Sequence, residues 1–324
     1  MKFTGPEDGV ESRLPISIVG MLSWPFNFPL AFRSPYISYT MIVLTAICIF
    51  FCIGKRQQVY DNLLRAVLRA TDDVGATADP STVLCDFETA AMNAVGAVFG
   101  DHVDVQGCFY HLCQSTYRKI QELGLVEDYK SRDDVKLFAG MLDALAFLPV
   151  ADVAAGMKFL SRNVPDCAGL QDLLVYFDST YVNGTARMIN RRQQSQQASA
   201  TSIQPIRVRR IPPLFPPPKW NVHEATLANQ PRTNNECESW NNAYRSLVGH
   251  CHPSMWTTVN ALQQDQAMAT TAILQHARGQ PPAKRVRRQT VRLQERLHRL
   301  CTSYKDGGMN MEAFLRGVGH TIRM

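Results

Sequence analysis

Between Ser12 and Tyr60 the chain contains neither aspartate nor glutamate. That stretch therefore offers no carboxylate to a metal ion or to acid–base chemistry. Regular cysteine spacing is missing too: nine cysteines are scattered over 324 residues with no ladder of repeated intervals. An odd, unpatterned set excludes a disulfide framework and points to a reducing, intracellular setting. Strong charge of one sign is also absent, since the net charge is only +6 with a pI near 8.9. Such a modest basic excess suits a polyanionic partner without requiring one. What the chain does have is 45% hydrophobic residues, enough to bury a core and to exclude a disordered tail.

The most informative stretch is Val83 to Gln114, VLCDFETAAMNAVGAVFGDHVDVQGCFYHLCQ. A short apolar run, Val83 to Cys85, stops at Asp86. Ala91, Val95, Val98 and Phe99 then recur at helical spacing. The pattern predicts a strand, an acidic tip and a helix, which puts Asp86 at the carboxyl end of a buried strand, where α/β sheets place their chemistry. Asp86 reads equally as the N-cap of the helix that follows. A second apolar stretch leads into Cys108-x-x-His111. Zinc is one reading of that pair, with Cys113, His250, Cys251 and His252 as further donors. A lone CxxH without a second pair argues instead for packing and hydrogen bonding.

Three separated blocks, DFETAAMNAV, GCFYHLCQSTYRKIQELGL and RTNNECESWNNAYRSLVGHCHPSMW, occur in this order and resemble the core of Mutator-like element (MULE) transposases. The resemblance runs from about Gly54 to the C-terminus. It implies a DDE-type, ribonuclease H-like α/β core interrupted by a helical insertion and followed by a basic helical tail. It also implies metal-dependent cleavage of DNA at an element end, then attack of the freed 3′-hydroxyl on target DNA. Asp86 and Glu238 would be the second and third acids and would hold the metals, Mg2+ or Mn2+, with zinc not called for. The Asn-Asn-x-x-Glu spacing selects Glu238 over Glu236. Asn234 and Asn235 would cap the helix that carries Glu238, or else form a plain turn. The first acid, expected in an Asp-Gly-Thr-Phe context, has no counterpart between Ser12 and Tyr60, and Asp8-Gly9 is followed by Val10 and Glu11 instead. The resemblance thus implies an N-terminally degraded, catalytically defective transposase, or an upstream segment that belongs to a gene-model error.

The remaining elements follow from pattern. Residues 1–35 are left without a role, and Pro6, Pro15, Pro25, Pro29 and Pro35 break any long helix there. Tyr36 to Ile53 is uncharged over 18 residues and flanked by Lys55 and Arg56. Its β-branched and aromatic content favours core strands, with a transmembrane helix as the competing reading. Residues 36–113 form the first part of the core. Gln57 to Ala70 is an amphipathic helix with Tyr60, Leu63, Leu64, Val67 and Leu68 on one face. Residues 114–185 form the helical insertion, broken at Pro149, with Leu170 to Phe177 readable as helix or strand. Residues 186–219, rich in Gln, Pro and Arg, read as a flexible loop. Residues 220–278 complete the core, and residues 279–324 are the basic helical tail.

In that tail Lys284 to Arg299 holds seven Lys or Arg against one Glu, with Leu293, Leu297 and Leu300 at helical spacing. Lys284, Arg285, Arg287, Arg288 and Arg292 are the candidate DNA-backbone contacts; a solvated face or a nuclear localisation signal explains them as well. Trp220, Trp240 and Trp256 lie around the Glu238 block, where burial competes with stacking on a base. The functional expectation is a nuclear, transposase-derived protein whose partner is DNA, with a homo-oligomer possible and no membrane favoured. The alternatives are a non-catalytic DNA-binding or protein-interaction module and, in a different class, a single-pass membrane protein.

Overall fold

The computed structural model describes residues 56–73, 79–189, 207–233, 235–251, 253–279 and 287–323. Two hydrophobic clusters organise them. The smaller is built on a strand–helix–strand unit. Strand β1 (Thr82–Cys85) and strand β2 (Asp104–Gly107) pair in parallel, from Thr82 opposite Asp104 to Cys85 opposite Gly107. Helix α2 (Thr89–Phe99) makes the crossover that parallel pairing requires. Helix α1 (Gln57–Asp73) covers the unit with Tyr60, Leu63, Leu64 and Val67, spaced i, i+3, i+4 and i+7, against Val83, Ala94, Val95 and Val105.

The larger cluster is helical. Helices α3 (Phe109–Glu122), α4 (Val126–Ser131), α5 (Asp133–Ala144), α6 (Val153–Arg162) and α7 (Leu170–Phe177) surround it in sequence order. Helix α5 is its axis, since every residue from Phe138 to Ala144 is buried, as in a helix packed on all sides. The chain then tightens into a 3-10 turn, Leu145–Phe147, and stops at Pro149. The carbonyls left open there are met from far along the chain. Val222 N donates to Ala146 O at 2.7 Å, the His223 ring Nδ1 to Phe147 O at 2.6 Å and Asn221 Nδ2 to Leu148 O at 2.6 Å. Trp220, fully buried, donates Nε1 to the carbonyls of Tyr181 and Phe215, both at 3.0 Å.

The remaining elements are β3 (Thr185–Ile189) paired antiparallel with β4 (Arg207–Ile211), then α8 (His223–Leu227), α9 (Asn235–Val248), α10 (Met255–Ala277), α11 (Arg288–Lys305) and α12 (Met311–Ile322). Helix α12 closes the large cluster by lying directly on α5. The contact is backbone against backbone: a Cβ on Gly140 would stand 2.8 Å from Gly319 O, and one on Gly319 would stand 3.0 Å from Met141 N. Asn310 starts α12 by accepting from Ala313 N at 2.8 Å. Just past its end, Arg323 pairs with the fully buried Asp143 of α5, which also accepts from Thr116 Oγ1 of α3 at 2.6 Å. Burial pushes the Asp143 carboxyl above its ordinary range, while Arg323, Thr116 and Cys113 act to keep it charged.

This architecture overturns the expected ribonuclease H-like α/β core. Among the described residues strand is confined to two separate two-stranded sheets, and helix dominates. The strand–acid–helix pattern was real but local, and the rest of the sheet it implied is not found among the described residues. Leu170 to Phe177 resolves as helix because Leu170, Leu173, Leu174 and Phe177 all point into the large cluster. Within the stretch read as a flexible loop, Arg207–Ile211 is a strand and Phe215 is buried. The strands expected at 36–53 lie outside the described residues. Among the described residues no helix is long and apolar enough to cross a membrane.

The Asp143 pair yields a direct test. Replacing Asp143 by Ala strands Arg323 beside the core and is expected to cost about 3–5 kcal/mol in urea unfolding at neutral pH. A loss no larger than that of an exposed ion pair would show that this pair does not hold α12 in place.

Candidate functional site

The parallel register decides where the chemistry-bearing residues emerge. Because Cys85 lies opposite Gly107, the next residues, Asp86 and Cys108, leave the two strands side by side at their carboxyl ends. Cys108 N continues the ladder to Cys85 O at 2.8 Å. Helix α3 begins at once, with Cys108 as its N-cap, so His111 sits one turn in and swings back over Asp86. Its Nδ1 lies 2.9 Å from Asp86 Oδ1, both side chains being about one-fifth exposed. Burial alone pulls the imidazole pKa down, but the bonds to Asp86 and Cys108 override it and carry it up to about 10. At neutral pH the pair is an imidazolium against a carboxylate. Tyr110 packs edge-on against the same ring, with centroids 5.4 Å apart.

Asp86, His111 and Cys108 are the residue types of an orienting acid, a base and a thiol nucleophile. The sulfur of Cys108, however, belongs to a residue with no exposed surface. The three form an interior cluster that ties the strand ends to α3 and exposes no reactive thiol. Nor does the set fit the pair of divalent cations that the resemblance implies. The Asp86 oxygen faces an imidazolium, and the nearby Glu88 accepts the Tyr60 hydroxyl at 2.8 Å. Among the described residues no three His, Cys, Asp or Glu side chains are grouped to hold an ion.

The other candidates fall elsewhere. Glu238 is in the first turn of α9, which opens at Asn235. The side chains of Asn235 and Glu238, and the whole of Asn234, lie outside the described residues. The segment entering α9 does come close to the strand ends, because Phe109 N, the first residue of α3, donates to Arg232 O at 3.0 Å. Trp220 and Trp240 are buried, whereas Trp256 is 77% exposed.

Lys284 and Arg285 lie outside the described residues; Arg287, Arg288 and Arg292 are exposed at the start of α11. Helix α11 is held on its opposite side by buried Leu297 and Cys301. Gln294 anchors it further by accepting from Arg232, whose guanidinium also donates to Thr226 Oγ1 at 3.1 Å and lies over the Phe147 ring at 5.6 Å. At 100° per residue, Arg288, Arg292, Arg296 and Arg299 share the face turned away from Leu297. Arg296 and Arg299, both exposed, were not singled out from the sequence, although their i+4 and i+7 spacing from Arg292 was the available signal.

Compared with protein-family models, with curated proteins and with solved structures, the chain matches none of them.

The His111–Asp86 pair makes stability pH-dependent with a definite sign. The folded imidazole value near 10 lies above the ordinary value of about 6.5. The pair's contribution is therefore complete below about pH 6.5 and disappears as pH rises through about 10. Urea midpoints taken at steps across that window should fall for the native chain more steeply than for His111→Gln. Parallel curves for the two proteins would remove the ion pair from the account.

Proposed function

We propose that this chain is a transposase-derived, nuclear DNA-binding protein of the Mutator-like kind that grips the duplex backbone and does not cut it. The observation that carries the reading is the outward arginine face of α11. From Arg287 to Lys305 the chain holds six Lys or Arg and one acid, Glu295. Between Arg288 and Arg299 that face runs roughly 16 Å, a length over which duplex DNA presents on the order of ten phosphate charges. The apolar side of the helix is fixed to the protein body, so the arginines are presented on a rigid support. A groove of about 530 Å3, lined by Asn229, Thr290, Val291, Gln294, Glu295, His298 and Arg299, runs along one flank of the same helix.

The non-cleaving half of the proposal rests on different grounds. The resemblance calls for three converging acids, and the segment that should supply the first contains none. The second, Asp86, is engaged by a positive imidazole, whose charge opposes a cation at the same oxygen. The transposase ancestry itself rests on the three sequence blocks, whose polar residues include Asp86, Cys108, His111 and Glu238.

Fluorescence anisotropy with a duplex oligonucleotide across a salt series tests the reading. Replacing Arg288, Arg292 and Arg296 together by Glu should weaken binding strongly and flatten the slope of log K against log salt by about 2–3, near 0.9 for each phosphate that is no longer neutralised. Asp86→Asn should leave affinity unchanged, and neither protein should nick supercoiled plasmid with Mg2+ or Mn2+. An unchanged salt slope in the triple variant would defeat the proposed interface, and Asp86-dependent nicking would defeat the non-cleaving reading.

A further inference from the structure

Every residue from Arg287 to Arg296 is exposed, and the first side chain of α11 to be buried is Leu297. The first turn of that helix therefore has little tertiary packing to hold it, and it opens at low cost. The chain enters it extended, with φ −62° and ψ 135° at Arg287, and the bond that closes the turn, from Val291 N to Arg287 O, is 3.2 Å long. Thr290 stands in this turn, exposed, at the edge of the groove of about 530 Å3. Arg287 and Arg288 stand third and second before it. Of all the Ser and Thr residues in the 324-residue chain, only Thr290 has arginine at both of those places.

Arginines so placed form a recognition pattern. A protein kinase takes its substrate as an extended segment. One that selects basic substrates lines the groove ahead of the acceptor hydroxyl with carboxylates, each of which a guanidinium grips with paired hydrogen bonds. Two other hydroxyls have an arginine three residues back, Thr302 behind Arg299 and Ser195 behind Arg192, but neither has a second arginine two residues back. Thr302 also adjoins Cys301, in the part of α11 that Leu297 and Cys301 fix to the body, so drawing it out would unpack the core. Ser195 lies outside the described residues. The start of α11 is thus where the arginine pair, an exposed hydroxyl and a turn that opens readily coincide.

We infer that Thr290 is a phosphorylation site for an arginine-selecting Ser/Thr protein kinase, and that the phosphate loosens the hold of α11 on DNA; the second half rests on the DNA-binding reading above. The γ-phosphoryl group of Mg-ATP passes to Thr290 Oγ1. The Oγ1–P bond forms, the bond from that phosphorus to the oxygen bridging to ADP breaks, ADP keeps the electron pair, and the hydroxyl proton goes to the kinase's catalytic carboxylate. The product brings about two negative charges to a helix whose stretch from Arg287 to Lys305 holds six Lys or Arg against one Glu. In the first turn that charge is favoured by the helix dipole, so the turn closes again over the phosphate. At 100° per residue Thr290 points away from the row Arg288, Arg292 and Arg296, so the guanidiniums of that row are not covered. Along the axis, however, the row lies within roughly 9 Å of Thr290, about one screening length, and the phosphate weakens its field. Arg287, one turn back, is the arginine best spaced to pair with the phosphate directly.

The full chain incubated with Mg-ATP and the catalytic subunit of cAMP-dependent protein kinase tests the inference, with the phosphate located by mass spectrometry. Phosphate should appear at Thr290. Arg287→Ala with Arg288→Ala should slow its incorporation at least about tenfold, and Thr290→Val should abolish it, both with the native helical circular dichroism, since all three positions are exposed. An unmodified Thr290, with phosphate at Thr302 or Ser195 or nowhere, would overturn the site, as would an undiminished rate in the double variant. Duplex anisotropy before and after the reaction reads the consequence. The phosphorylated chain should bind severalfold more weakly, with the slope of log K against log salt flatter by about 1–2, while Thr290→Val treated alike should not change. Equal affinity with and without the phosphate would overturn the loosening. A chain that accepts phosphate at Thr290 but binds no duplex even before the reaction would confirm the site and defeat the DNA-binding reading instead.

Discussion

The larger part of the molecule depends on one buried charge. Asp143 is the only ionisable group in the run of buried residues that makes α5 the axis of the helical body, and an isolated carboxylate there would be intolerable. Its partners come from two directions: Thr116 on α3 and Arg323 just past the end of α12. The pair is not a large net source of stability, since two desolvated charges barely repay their own burial. Its effect is selective. It is satisfied only when α12 lies on α5 at the glycine crossing, so any other docking of α12 leaves a charge unmatched inside the protein.

The smaller unit shows the same logic applied to position. Two parallel strands of four residues have little stabilising power of their own, but their register places Asp86 and Cys108 next to each other and sets the first turn of α3 above them. A carboxylate at a strand end, usually open to a ligand, is here answered from within the chain by His111. The α11 arginines have the opposite arrangement. Their helix is anchored through Leu297, Cys301 and the Arg232–Gln294 bond on one side, and the charges point away from everything that anchors it. One charged group has been turned inward and neutralised, while the other set has been left to the solvent.

Much of the helical architecture was legible in the sequence because it rests on periodicity. Tyr60, Leu63, Leu64 and Val67 announced the buried face of α1, and Pro149 announced the break after α5. The strand, acid and helix around Asp86 were legible for the same reason. The extent of the sheet was not, since a short apolar run followed by an acid looks the same in a two-stranded unit as in a five-stranded one. Asp143 could not be recognised either, because its partner is 180 positions away and its neighbours Leu142 and Ala144 have no pattern that calls for a charge. The His111–Asp86 contact was half visible: the lone CxxH pair argued for packing and hydrogen bonding of Cys108 and His111, but only the strand register brings Asp86 beside them.

The bonds that close the break at Pro149 have a bearing on how the chain reaches this state. The carbonyls of Ala146, Phe147 and Leu148 are met by groups on residues 221–223, more than seventy positions downstream. Helices α5 and α6 can form early from local contacts, but the turn between them stays unsatisfied until a long loop has closed. Closing such a loop costs entropy before any of these bonds repay it, which slows the step. Folding of the helical body is therefore expected to be limited by the return of the Trp220 segment. Until that segment returns, the corner between α5 and α6 is the stretch most open to capture by a chaperone or by another unfolded chain.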